Sequence, residues 1–153
     1  MNIRSLSKKV AVAQTFVPEN VAVVASQGYR TIVNFRLDSE VPGEIAKAFA
    51  AADKAGIRYI HIPAAKYDVF EEDLLAEARH MFETAEAPIL IHCLSGQRAA
   101  IIWGAIQSQT TPVKDVLRVL SGAGYELDCL QEDFEQQAEF AKAMPRADQL
   151  EAA

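Results

Sequence analysis

Two neighbouring segments constrain the fold of this chain more than any others. Pro88-Ile89-Leu90-Ile91-His92 is short and apolar without alternation, the pattern of a strand buried on both faces. Ala99 to about Gln107 is apolar nearly all round, the pattern of a central buried helix. The same rhythm runs through the rest. Val10 to Gln14 reads as a first strand. Pro18 suits a first helical position, with Val21, Val24 and Ala25 on one face and Gly28 at the end. Thr31 to Arg36 is a β-branched strand. After Val41-Pro42-Gly43, the spacing of Ile45, Ala48, Phe49 and Ala52 predicts an inward helix face, stopped by Gly56. Ile57 to Ile62 is a further strand, broken by Pro63. Glu71, Glu72 and Asp73 load the start of a helix whose inward face is Leu74, Ala78, Met81, Phe82 and Ala85. Thr111-Pro112 opens a helix with Val113, Val116, Leu117 and Leu120 inward, and a last helix covers Glu132 to Met144 before a frayed tail.

Strands separated by helices require right-handed crossovers. The expected fold class is α/β, a central mostly parallel sheet flanked by helices, and 153 residues fit one domain spanning 1–153. Ligands of such sheets bind at the carboxyl ends of the strands.

A formal charge of −6 argues against nucleic-acid or anionic-membrane partners, so an anionic substrate has to be drawn by a local site. No apolar run reaches the length of a membrane span, and Met1 to Lys9 is followed by Gln14, Pro18, Glu19 and Asn20, which is no signal-peptide core. A leader trimmed from the sequence stays open. Two cysteines, Cys93 and Cys129, make neither a disulfide framework nor a four-ligand zinc cluster. The expected setting is a reducing compartment, the cytoplasm, with no metal and no cofactor.

The chemistry concentrates in Ile91-His92-Cys93-Leu94-Ser95-Gly96-Gln97-Arg98-Ala99-Ala100, which leaves the buried strand and enters the buried helix. Backbone N–H groups of a tight loop and a first helical turn lack intrahelical acceptors and form a nest for an anion. Gly96 permits backbone conformations that a side chain forbids. Arg98 offers a planar fork matching two oxygens of a tetrahedral oxyanion. In such a positive niche a cysteine is expected to ionise at roughly 3.5–7.5 instead of ~8.5, so the loop would both activate Cys93 and bind substrate. The bland alternative is a buried structural thiol with a surface arginine. It leaves Cys, Gly and Arg together at a strand-to-helix turn unexplained.

These residues resemble the loop of the protein tyrosine and dual-specificity phosphatase superfamily, which begins His-Cys and ends in Arg before a helix. Gly28-Tyr29-Arg30-Thr31-Ile32-Val33-Asn34-Phe35-Arg36 and Tyr59-Ile60-His61-Ile62-Pro63 are similar to two of its upstream strands. More closely, Asn34 to Glu40 with the short Ser-Gly loop resembles the bacterial phosphatase-like domains related to β-lactamase-hydrolase-like proteins. The resemblance covers about residues 8 to 121. It implies a cysteine-dependent phosphomonoester hydrolase with Cys93 as nucleophile, a cysteinyl-phosphate intermediate, and a phosphorylated small molecule or phosphoprotein as substrate. It further implies a phosphate-binding loop in which Arg98 and the amides of Leu94, Ser95, Gly96 and Gln97 hold the phosphoryl oxygens and His92 supports the loop. The general acid is expected after Pro63, where Asp68 is the first carboxylate and Glu71, Glu72 and Asp73 stand behind it.

The chain departs from the superfamily pattern in three places. Four residues separate Cys93 from Arg98 where five are usual, which is the spacing of many rhodanese sulfurtransferases. Ala99 stands where a Ser or Thr hydroxyl usually follows the arginine, and Asp68 lies further from its strand than the usual acid. Two alternatives therefore stay open: sulfur transfer through a Cys93 persulfide, and a non-catalytic oxyanion-binding module. Of the remaining residues, His61 and His80 lack metal-ligand spacing and fit boundary roles. Trp103 reads as core. Cys129 reads as an inert core thiol, with resolution of an oxidised Cys93 as its alternative. Arg36 and Asp38 form a candidate brace, equally readable as a solvated strand end. Oligomeric state is not encoded in any of these patterns.

Overall fold

The structure is a computed structural model that describes residues 1–143; Met144 of the expected last helix and the whole expected tail lie outside the described residues. A five-stranded sheet carries the order β1-β2-β5-β3-β4, with β1 (Asn2–Ser5), β2 (Val10–Gln14), β3 (Thr31–Asn34), β4 (Arg58–His61) and β5 (Ile89–His92). β1 pairs antiparallel with β2, and the other three pairings are parallel. The fold is thus α/β with a mostly parallel sheet, as the strand–helix alternation requires.

Sequence patterning missed β1. Its residues Asn-Ile-Arg-Ser carry one half-buried apolar side chain, and the strand exists through its ladder to β2 across the turn at Leu6 to Lys9. β3 ends at Asn34, two residues before the expected Arg36. There the Asn34 side-chain oxygen accepts the Arg36 N–H at 2.8 Å, a local turn that competes with the ladder.

Contacts cluster into two compact units, Met1–Ile102 and the remainder from Trp103. In the first, α1 (Val21–Ser26) and α2 (Glu44–Ala55) contribute to a core on one sheet face with Ala11, Ala13, Ile32, Tyr59 and Leu90. Period-2 alternation places His92 on the same face as Leu90, where it stacks on Phe16 with ring centroids 4.2 Å apart. Gly28 and Gly56 end α1 and α2 at positive φ. Phe49, expected inward, is 43 % exposed. Ala48 and Ala52 take the buried positions of α2, and the Phe49 ring meets Tyr59 edge-on at 4.9 Å. α3 (Glu72–Thr84) buries Leu74, Leu75, Ala78 and Met81; Phe82 and Ala85 are only half-buried.

α4 (Gln97–Gln107) starts in the first unit and ends in the second, which continues with α5 (Val113–Gly122) and α6 (Gln131–Ala143). Val116, Leu117 and Leu120 of α5 are buried as the spacing predicts, while Val113 is half-buried. Phe134 of α6 is fully buried, and Gly104 is the position on α4 that leaves room for its ring. Among the described residues no helix is long and apolar enough to cross a membrane.

Candidate active site

Parallel register decides what meets what. Asn34 lies opposite both His61 and His92, and Ala13 opposite His92, so β2, β3, β4 and β5 all release their loops at one sheet edge. The ladder carries on past the strands. Phe35 N–H donates to the His92 carbonyl at 2.9 Å, Ile62 N–H to the Asn34 carbonyl at 2.9 Å, and Thr15 N–H to the Leu94 carbonyl at 3.1 Å. Cys93 follows β5 directly and so stands in the middle of this edge, where open parallel sheets bind ligands.

The loop after it is short. Gly96 adopts φ +88°, a left-handed conformation that a side chain resists, and α4 begins at the next residue. Cys93 is 1 % exposed, whereas Leu94 is 58 % exposed and Ser95 is also at the surface. Of the four backbone groups expected to bind an oxyanion, Gln97 N–H has a partner within the loop, the Ser95 hydroxyl at 3.3 Å.

Arg98, on the first turn of α4, is held more firmly than the sequence discloses. Its Nη1 donates to Glu40 Oε2 at 2.8 Å and to the Ala64 carbonyl at 2.9 Å, with the Phe35 carbonyl at 3.4 Å; Nη2 donates to Glu40 Oε1 at 2.9 Å. The side chains of the pair are 14 % and 25 % exposed. A guanidinium has five N–H groups. Those used here lie on its outer end and one side, which leaves Nε–H and the second Nη2 hydrogen on one shared edge. Arg98 Nε is buried and has no protein partner among the described residues. The side chain is a donor fork clamped from behind and open along the edge that fits two oxygens of a tetrahedral anion.

Electrostatics follow the geometry. The hydrogen bond from Arg98 holds the Glu40 carboxyl down at about 2, against burial acting the other way, and the Leu37 N–H at 2.6 Å adds to it. Arg98 is raised above its usual range by the hydrogen bond to Glu40, burial opposing, with the charges of Glu40 and a Cys93 thiolate contributing further. Glu40 is the residue that sequence reasoning passed over. It stood inside the Asn34 to Glu40 stretch, and the available signal was physical: a largely buried arginine requires a carboxylate.

The other expected residues fall as follows. His92 is buried, with Nδ1 3.5 Å from the Cys93 carbonyl; burial drives its pKa down to about 3, so the ring is neutral. Asp68 is exposed in the turn between β4 and α3, its amide bonded to the Ala65 carbonyl, and Glu71 closes the same turn on Asp68. Glu72 and Asp73 sit in the first turn of α3. His61 takes a boundary role: half-buried, its Nε2 bonds the Arg36 carbonyl. The Asp38 carboxylate is 85 % exposed and lies 3.7 Å from His61 Nδ1, so of the two readings of Arg36 and Asp38 the solvated one describes Asp38. Cys129, expected in the core, is exposed. Among the described residues no group of three or more His, Cys, Asp or Glu side chains is placed to hold a metal ion.

The family model described as the phosphatase-like domain of beta-lactamase hydrolase-like protein matches residues 2–110. The beta-lactamase hydrolase-like protein of Xylella fastidiosa is 31 % identical over 105 residues, covering 67 % of this chain and 24 % of the relative. That of Agrobacterium fabrum is 35 % identical over 82 residues, covering 52 % and 19 %. This chain therefore spans about a quarter or less of the length of these relatives. Among solved structures, a candidate phosphatase of Neisseria meningitidis superposes with a TM-score of 0.77 at 23 % identity, covering 90 % of this chain and 99 % of the other. The core catalytic domain of a PP-IP phosphatase from S. cerevisiae gives 0.66 at 18 % identity, covering 100 % and 91 %. At these identities the likeness carries the fold, that of the cysteine phosphatases. By the extent of the family match, this chain belongs to the phosphatase-like domain family of the beta-lactamase hydrolase-like proteins.

Proposed function

We propose that this domain is a cysteine-dependent phosphomonoester hydrolase whose nucleophile is Cys93. The observation that carries it is the state of Arg98: clamped by Glu40 and two carbonyls, with its Nε edge unpartnered, five residues from a cysteine at the carboxyl end of β5. A structural arginine would be expected to spend its whole fork on the protein.

In the first step the Cys93 thiolate attacks phosphorus and an S–P bond forms as the ester P–O bond breaks. The leaving oxygen takes a proton from the general acid, for which Asp68 is the candidate. Water, returning a proton to the Asp68 carboxylate, then attacks phosphorus, the S–P bond breaks, and inorganic phosphate leaves with both the thiolate and the protonated acid restored. Arg98 Nε and Nη2, with the amides of Leu94, Ser95 and Gly96, neutralise the charge spread over the equatorial oxygens. His92 orients the loop through the Cys93 carbonyl. Because Cys93 is buried, the ester has to enter over the exposed Leu94 and Ser95. The substrate is a phosphorylated small molecule or a phosphoprotein. Hydrolysis of p-nitrophenyl phosphate, abolished in both Cys93→Ser and Arg98→Ala, is the expected result; robust turnover by Cys93→Ser would overturn the proposal.

Two observations favour a second reading, sulfur transfer through a Cys93 persulfide. Only Leu94, Ser95 and Gly96 separate Cys93 from the helix, and Ala99 offers no hydroxyl to a departing thiolate. Intact-mass analysis after exposure to a phosphoryl donor and, separately, to thiosulfate separates the two, since either a phosphoryl group or one sulfur atom is added to Cys93. An unchanged mass with both, alongside measurable phosphate binding, selects a non-catalytic oxyanion module.

A further inference from the structure

Behind the loop, against α2, lies a small half-open pocket with room for about 10 Å³, whose wall includes Phe16, Asn34, Arg36, Glu44, Tyr59 and His92. Two of these residues bring unmet polar atoms. Arg36 Nε and His92 Nε2 are both buried and lack a protein partner among the described residues. Their demands are opposite. Arg36 Nε–H can only donate. His92 Nδ1 faces the Cys93 carbonyl, which can only accept, so in the neutral ring Nδ1 carries the proton and Nε2 presents a lone pair.

An occupant must therefore accept from Arg36 and donate to His92. A simple anion has no proton to give. A metal cation cannot accept, and it would face the Arg36 guanidinium. Water does both, and a space of ~10–15 Å³ is what one water requires. We propose that a single resident water bridges Arg36 Nε and His92 Nε2, making Arg36 a positioning residue for the Cys93 loop. Its remaining hydrogen has acceptors in the same wall, at Asn34, Tyr59 or Glu44. Burial raises the Tyr59 pKa, and the Asn34 side chain, which accepts the Arg36 N–H, also acts on that hydroxyl and lowers it by less. Through the water the ring is fixed in the tautomer that bonds the carbonyl of the nucleophile's own residue.

The consequence for turnover rests on the hydrolase reading above; the water and the tautomer do not, and they are measured without substrate. A crystal structure of the protein should show an ordered peak about 2.7–3.2 Å from both nitrogens. Nitrogen-15 histidine spectra should show His92 in the Nδ1–H form. Arg36→Met should abolish the peak and shift the His92 ring resonances, and Arg36→Lys should restore a donor and move them back. The proposal is overturned by a wild-type map with neighbouring internal waters ordered and none here, by an Nε2–H tautomer, or by a peak and resonances unchanged in Arg36→Met. If Arg36→Met does not fold, the wild-type map and spectrum decide alone.

Discussion

The guanidinium of Arg98 and the carboxylate of Glu40 meet fork to fork at 2.8 and 2.9 Å, although 58 residues separate them in the chain. Glu40 arrives on the loop after β3 and Arg98 on the helix after β5, and they meet because β3 and β5 are adjacent and parallel. The pair sets which edge of the guanidinium stays open.

Loss of the clamp should cost turnover more than folding. Glu40→Ala leaves Arg98 its charge but not its aim, and kcat/KM for p-nitrophenyl phosphate should fall by roughly 10- to 100-fold, the scale of a misplaced catalytic group. Arg98→Lys keeps a charge and loses the fork, and should fall by about 100-fold or more. Steady-state kinetics on the two variants, with thermal melts to confirm folding, checks both.

Acid should destabilise the fold in two stages. His92 is depressed from 6.5 to about 3, so between those values the unfolded chain binds a proton that the folded one refuses, and stability falls as pH drops from 6.5. Glu40 is depressed from 4.5 to about 2; its contribution is complete above 4.5 and lost as pH falls toward 2. Urea unfolding at about pH 7 and about pH 5 reads the first stage alone, and His92→Phe, which preserves the stack on Phe16, should flatten it.

The two thiols should label at very different rates. Cys129 is exposed and Cys93 buried, so a bulky maleimide should modify Cys129 first, and added phosphate should slow Cys93 further without touching Cys129. Peptide mapping after timed labelling gives both rates. Equal rates would mean that the loop opens freely.

Gly104→Ala is a test of packing in the second unit. An added Cβ would stand 2.9 Å from Phe134 Cζ and 3.0 Å from Leu120 Cδ1, both on fully buried side chains with nowhere to retreat. Replacing a helix-interior glycine ordinarily gains up to ~1 kcal/mol, whereas overpacking costs about 1–3 kcal/mol. The clash should win, and denaturant melts should show a net loss of about 1–2 kcal/mol.

Local chemistry made most of the framework legible. The strand at 89–92, the buried helix after it and the Cys-Gly-Arg loop between them are written in consecutive residues, because hydrophobic periodicity and a glycine's freedom act over a few positions. The parallel sheet followed from helices too long for hairpins. What depended on pairing was not legible. β1 has no apolar pattern of its own and exists only as a partner of β2. Ala48 and Ala52 are buried as the helical spacing predicts, but Phe49, expected on the same face, stays 43 % exposed with its ring against Tyr59, a contact between distant segments that spacing does not record. At the site, the sequence alone determined that a thiol and a guanidinium share one strand-to-helix turn. Tertiary structure alone decided that Glu40 grips that guanidinium and that Arg36 and His92 line one pocket, since hydrogen bonds between distant segments depend on strand order, which no local pattern records.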